Sequence, residues 1–200
     1  RPGRDIASML EQDAYPQVDI FICRYSEPVE VLEATVVAAL NIDYPGTKLC
    51  VHILDDGNSP EVKSMQRRLV YQMKYMGRQA NLKYVARPKV SGVPHHAKAG
   101  NINHCLMTES SHVTEYILVL DCDMIIHPTF LRRTLGHFLR ARPDGEWEHK
   151  DFAALLQTPQ DFWNVDKDDP MVHCARFFYG PMLMGRDGAG ATPCCGTGVI

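Results

Sequence analysis

Short, densely apolar runs alternate along this chain with longer stretches in which apolar residues recur at helical spacing. Val18-Asp19-Ile20-Phe21-Ile22-Cys23 and Leu49-Cys50-Val51-His52-Ile53-Leu54 read as strands, and residues 82–86 as a third. In Tyr116-Ile117-Leu118-Val119-Leu120-Asp121-Cys122-Asp123, four consecutive aliphatics between polar residues predict a buried strand that ends abruptly in carboxylates. Between the first two strands, Val31, Leu32, Thr35, Val36, Ala39 and Leu40 form one helical face, with Ser26 placed to cap and Pro28 to occupy the first turn. Helices are expected over 60–76, from the block at 97–103 to about Met107, and over 129–141, where Phe130, Leu131, Leu135 and Phe138 share a side.

The later part is less regular. Residues 142–150 read as a polar connection and 152–156 as a further strand leaving at Gln157-Thr158-Pro159-Gln160. Residues 166–175 suggest a short helix or turn, 177–180 form an aromatic cluster, and 185–190 read as loop. Residues 1–17 show no sustained periodicity and are expected to be a lead-in, with at most one helical turn at 6–10 packing on the domain that follows.

Strands alternating with helices predict an α/β layer fold with a mostly parallel sheet, in which ligands bind beyond the carboxyl ends of the strands. Several expected strands exit into reactive side chains: Tyr25 and Glu27, Asp55 and Asp56, Asp121 and Asp123, Gln157 and Gln160. In an extended strand Asp121 and Asp123 project to the same side, and like charges a few ångströms apart repel by about 1 kcal/mol in water and about 4 at an effective dielectric of 20. Such a pair recruits a hard divalent ion, and with it a substrate's phosphates. Tyr25 could pack on a base or sugar while Asp55 or Asp56 accepts hydrogen bonds from it; Lys98, near a helix start, suits a phosphate. Each also has a plain structural reading: half-buried packing for Tyr25, a turn for Asp55-Asp56-Gly57, a solvated lysine for Lys98. His95 and His96 lack the spacing of a zinc site, and Gly188-Ala189-Gly190 neither follows a strand nor opens a helix.

Composition narrows the classes. Two hundred residues, 45% hydrophobic and 22% charged, describe a soluble globular chain with one well-buried domain. A net charge of −3 without a long basic stretch gives no footprint for nucleic acid. Seven cysteines, with no paired Cys-x-x-Cys spacing, fit a reducing, cytosolic compartment. No stretch reaches the roughly 18 apolar residues of a membrane helix. A chain that opens at Arg1 and stops after Val199-Ile200 is expected to be a piece of something longer.

Asp55-Asp56-Gly57, His96-Ala97-Lys98-Ala99-Gly100-Asn101-Ile102-Asn103, Asp121-Cys122-Asp123, Gln157-Thr158-Pro159 and Cys195-Gly196-Thr197 occur in the order found in processive family 2 glycosyltransferases. From Val18 to Ile200 the chain resembles the catalytic domain of the cellulose synthases, closest to the bacterial type. The resemblance implies a GT-A fold, partial here over 18–200, and inverting transfer of glucose from UDP-glucose to the non-reducing end of a β-1,4-glucan. It implies that Tyr25, Glu27, Asp55 and Asp56 line the uridine pocket, Lys98 meets the diphosphate, and Asp121 and Asp123 hold Mg2+ or Mn2+. It further implies that Cys195, Gly196, Thr197 and the aromatic segment at Phe178 and Tyr179 lie along the acceptor.

Arg24, Ser26 and Pro193-Cys194 depart from the family's pattern. Its Thr-Glu-Asp, which carries the general base, and its Gln-x-x-Arg-Trp do not occur, so both are expected downstream of Ile200 and the 200 residues are expected to be inactive alone. The parent is expected in a membrane, the plasma membrane in the first instance, through transmembrane helices and with synthase partners, this domain lying on the cytoplasmic side. A hyaluronan, chitin or mixed-linkage glucan synthase and a non-catalytic nucleotide-binding lobe remain as alternatives.

Overall fold

The structure is a computed structural model that describes residues 5–8, 10–109, 114–151, 153–166, 168 and 174–200. Its sheet has the order β3-β2-β1-β4-β7, with β1 Val18–Arg24, β2 Leu49–Asp55, β3 Leu82–Val85, β4 Tyr116–Asp121 and β7 Gly198–Val199. The first four strands are parallel, and the two-residue β7 runs antiparallel beside β4. Parallel neighbours need crossovers, and helices α1 Val29–Leu40, α2 Pro60–Tyr75 and α3 Ala97–Thr108 supply them. The mostly parallel α/β architecture expected from the alternating pattern is the one observed.

Strand alternation divides the interior into two packed layers. Ile20, Ile22, Val51, Ile53, Leu118 and Leu120 point into the larger core with Leu32, Val36, Met65 and Leu69 of α1 and α2. Phe21, Cys23, Leu54, Val85 and Val119 point the other way and pack with Cys105 of α3. α2 buries Val62, Met65, Leu69 and Met73, one row at spacings of three and four, and its Ser59 cap accepts the Val62 N–H. Ile6 and Leu10, from the lead-in, are buried in the larger core.

Four expectations need correction. Ser26 does not cap α1; Pro28 stands in the cap position, and the N–H groups of Tyr25 and Ser26 are taken by the Glu27 carboxylate. The helix expected over 129–141 is only Phe130–Leu135 (α4). The chain tightens through Gly136 into a hairpin of β5 Leu139–Ala141 and β6 Trp147–His149, within what read as a polar connection. Phe138 still reaches the core from the turn, which is why its spacing imitated a longer helix. Of the strand expected at 152–156, Phe152 lies outside the described residues, and the rest contributes one bridge, Leu156 to Val199, because β7 takes the position beside β4. Finally, the loop expected at 185–190 is largely helical: α5 Ala175–Phe177, a π-type turn at Phe178–Met182 and α6 Leu183–Gly188 follow one another. Of residues 166–175, only 166, 168, 174 and 175 are described.

Candidate active site

The carboxyl ends of β1, β2 and β4 lie side by side, so Tyr25, Asp56 and Asp121 meet although they are far apart in sequence. All three continue the α3-facing side of their strands, in step with Cys23, Leu54 and Val119. Together with Glu27, Arg87, Lys89, His95, Lys98 and Asn101 they line a cleft of about 430 Å³.

Glycine sets the spacing of this edge. A Cβ on Gly57 would run into the carbonyl oxygen of Tyr25, so the loops leaving β1 and β2 touch backbone to backbone. At Gly100 a Cβ would collide with the His95 carbonyl and the Arg87 guanidinium, and only glycine lets α3 pack against the loop before it.

The two adjacent aspartates behave differently. Asp55 is wholly buried on the α1–α2 side and accepts from the N–H groups of Gly57 (3.1 Å) and Ser59 (2.6 Å), from Tyr84 Oη (2.8 Å) and from Arg24 Nη1 (2.8 Å). Its carboxylate is saturated by the protein and organises the turn. Asp56 lines the cleft and is clamped by Arg87, Nε to Oδ1 at 2.6 Å and Nη2 to Oδ2 at 2.8 Å, with Lys89 at 3.6 Å. The Arg87 guanidinium holds the Asp56 carboxyl below the usual carboxylate range against an upward push from burial.

Arg87 also donates to the carbonyls of His95 and Ala97, where His96 and Ala97 have φ of 54° and 42°. It pins the strained entry of α3, and hence the position of Lys98. Arg87 is absent from the residues expected at the site; its signal in the sequence is a cation at the exit of β3, level with the acidic exit of β2.

Tyr25 is 62% exposed, and Lys89 Nζ lies 5.0 Å from its ring centroid. Glu27 lines the cleft but turns its carboxylate back onto its own loop. Burial pushes that carboxyl up, while the bound N–H groups and the Cys122 thiol pull it down further, and the net shift is downward.

β4 ends at Asp121 and the chain turns there, the Met124 N–H donating to the Asp121 carbonyl at 3.3 Å, so regular strand alternation does not extend to Asp123. Asp121 lines the cleft just described. Asp123 lines its neighbour, also about 430 Å³, with Ile125, Phe130, Gln160, Trp163 and Thr197 among its walls. The two carboxylates stand on a partition between two clefts. The turn is tied down beneath them by Thr35 Oγ1, which donates to the Cys122 carbonyl at 2.6 Å.

Lys98 bridges that partition: its ammonium sits 2.5 Å from Asp121 Oδ1 and also donates to the Gly196 carbonyl. Beyond it, Gln157 Oε1 accepts from the Cys195 N–H (2.8 Å) and Gln160 Nε2 donates to Thr197 Oγ1 (2.9 Å). The Gln157 and Gln160 exit is thereby brought onto the Cys195–Thr197 segment. Tyr179, against Phe162 and Phe178, is close enough for Cys195 and Asp121 to act on it, and burial chiefly raises its phenol.

The family model and the curated relatives point to one family. The family described as cellulose synthase matches residues 64–200. A cellulose synthase catalytic subunit [UDP-forming] from Xanthomonas axonopodis pv. citri is 33% identical over 194 residues, covering 94% of this chain and 23% of its own. One from Komagataeibacter sucrofermentans is 34% identical over 195 residues, covering 94% and 22%. The chain therefore spans under a quarter of the length of these curated relatives. A solved mannosyltransferase from Pyrobaculum calidifontis, in complex with GDP-mannose and Mn2+, aligns with a TM-score of 0.48 at 20% identity, over 68% of this chain and 35% of its own. With the family matched over more than half of its residues, this chain belongs to the cellulose synthases.

Proposed function

We propose that these residues form the donor-binding part of an inverting, metal-dependent β-glucan synthase that uses UDP-glucose. The observation that carries this reading is the convergence of Tyr25, Asp56, Lys98 and Asp121 on one cleft at the carboxyl edge of a parallel sheet. The curated relatives, named as UDP-forming, support the choice of nucleotide.

In this reading the exposed Tyr25 ring packs on the uridine, with Asp56, fixed by Arg87, accepting from it. Asp55 acts from behind: it holds Arg24 and the Gly57 turn so that Asp56 faces the cleft. Asp121 and Asp123 fit a hard divalent cation, because both carboxylates sit at a solvent-open turn; Asp121 is held there by Lys98, an ion pair that a bound cation would exchange for the donor's phosphates. Mg2+ or Mn2+ bound there would neutralise the charge of the departing UDP.

Lys98, at the start of α3, supplies a second positive charge to the diphosphate, and its present hold on Asp121 keeps that ammonium at the cleft floor. The neighbouring cleft, with Gln160, Trp163 and Thr197, takes the glucan acceptor, and Tyr179 and Cys195–Thr197 border it. The acceptor hydroxyl attacks the donor's C1 from there and UDP leaves toward Lys98. The general base belongs to sequence outside these 200 residues, and general-base removal typically costs about 10²- to 10⁴-fold, so the chain alone turns over essentially no donor. A membrane-embedded parent, with residues 18–200 as part of its cytoplasmic GT-A domain and 1–17 leading into it, completes the proposal. Among the described residues no helix is long and apolar enough to cross a membrane.

Calorimetric titration of UDP, GDP, UMP and NAD, with and without Mn2+, tests the reading. Metal-dependent preference for UDP that Asp121→Ala abolishes is expected. Equal binding of all four ligands, or UDP binding indifferent to both metal and Asp121, overturns it.

A further inference from the structure

The α3-facing side of the sheet carries polar groups at both ends. Tyr25, Asp56 and Asp121 lie at the carboxyl end; on the same side His52 lies four residues before Asp56, about 13 Å at 3.3 Å per residue, and Cys50 and Asp19 lie six residues before Asp56 and Tyr25, about 20 Å away. Asp19 and Cys50 are register partners on β1 and β2, and His52 is the next residue of β2 on that face. Each interrupts an apolar strand at an inward position, where a branched aliphatic would be expected.

Burial makes these choices expensive. Asp19 is 3% exposed and His52 fully buried, its ring edge-on to Phe21 at 5.2 Å. His52 Nε2 is 3.4 Å from Asp19 Oδ2, yet makes no hydrogen bond. Its other nitrogen is 3.5 Å from Cys105 Sγ, on the face of α3 that also carries Lys98 and Asn101 toward the opposite end. An imidazole with a neighbour at Nδ1, here the Cys105 thiol, and an Nε2 without a hydrogen-bond partner beside a carboxylate keeps one nitrogen for a metal, as metal-ligating histidines do.

From this geometry we infer that Asp19, Cys50 and His52 are a metal site of their own, for a borderline-soft divalent ion such as Zn2+. Their donor atoms lie within 4.8 Å of one another, and a nitrogen, a sulfur and an oxygen suit Zn2+ or Co2+ where an all-oxygen set suits Mg2+. Water completes the tetrahedron on the side of Cys50, the least buried of the three. Cys105 orients the imidazole and is not a ligand. The site rests on buried strand residues and does not depend on the donor reading of the carboxyl edge.

Cobalt is the probe, titrated into the full chain carrying Asp121→Asn and Asp123→Asn, so that carboxylate pair does not contribute. One Co2+ per chain is expected, with tetrahedral d–d bands and a thiolate-to-cobalt charge-transfer band. Cys50→Ser, the mildest change at the site, should remove the charge-transfer band and weaken binding at least tenfold, whereas Cys105→Ser should keep the band. Zn2+ should raise the thermal midpoint of the parent chain and not that of Cys50→Ser. A folded chain that takes up neither ion, or a thiolate band that survives Cys50→Ser or disappears with Cys105→Ser, overturns the assignment.

Discussion

Residues 18–121 and residues 122–200 are held together in different ways. In the first, β1 pairs with β2 over seven residues and with β4 over six, and Ile20, Ile22, Val51, Ile53, Leu118 and Leu120 are buried between the sheet and its helices. In the second, α4, the β5–β6 hairpin, α5, α6 and the two-residue β7 are all short, and side-chain hydrogen bonds such as those from Gln157 and Gln160 fix the segment that meets the active edge. The difference teaches that Tyr25, Asp56 and Asp121 ride on a rigid sheet, while Cys195–Thr197 depend on polar side-chain contacts that a ligand can exchange.

That contrast can be broken most severely at Asp55. Asp55→Ala would strand Arg24, whose side chain is 9% exposed, and breaking a buried pair typically costs about 3–5 kcal/mol. Denaturant unfolding should show that loss, with donor binding falling in parallel. Leu118→Ala, at the centre of β4, should cost about 2–5 kcal/mol by the same measurement. A cost near zero for either would mean that the sheet is not the rigid unit described.

The acid limb sharpens the picture further. Because the folded Asp56 carboxyl is held below its ordinary value, the Asp56–Arg87 clamp contributes fully above the ordinary carboxylate range, near pH 4. That contribution is lost as pH falls through the depressed folded value. Asp56→Asn should flatten this part of the stability–pH curve. The smallest effect belongs to the second region: Gln160→Ala, removing one hydrogen bond to Thr197, should cost about 0.5–1.5 kcal/mol. Its clearer sign should be faster amide exchange at Gly196 and Thr197 with the amides of β1 unchanged.

The same contrast decides what was legible in the sequence. β1, β2, α2 and β4 declare themselves because their apolar periods match the surfaces they cover. The separation of Asp55 from Asp56 is legible too, since alternation along β2 puts Asp55 with Val51 and Ile53 and Asp56 with His52 and Leu54, although the family resemblance assigns both to one pocket. The hairpin at 139–149 was not legible: Phe138 keeps the helical spacing of Leu131 and Leu135 while its backbone is already in a turn. Nor was Arg87, whose partners Asp56, His95 and Ala97 become neighbours only after the sheet has formed.

The pairing of β1 also has a consequence in time. Val18 meets Leu49 on one side and Tyr116 on the other, so the second closure spans roughly three times more chain and costs about 1 kcal/mol more in loop entropy. As the polypeptide emerges from the ribosome, β1, β2 and β3 can zip together while the far edge of β1 waits, apolar and unpaired, for β4 to be synthesised. In that interval Ile20, Phe21 and Ile22 are the stretch most open to another nascent chain, and there a chaperone has most to protect.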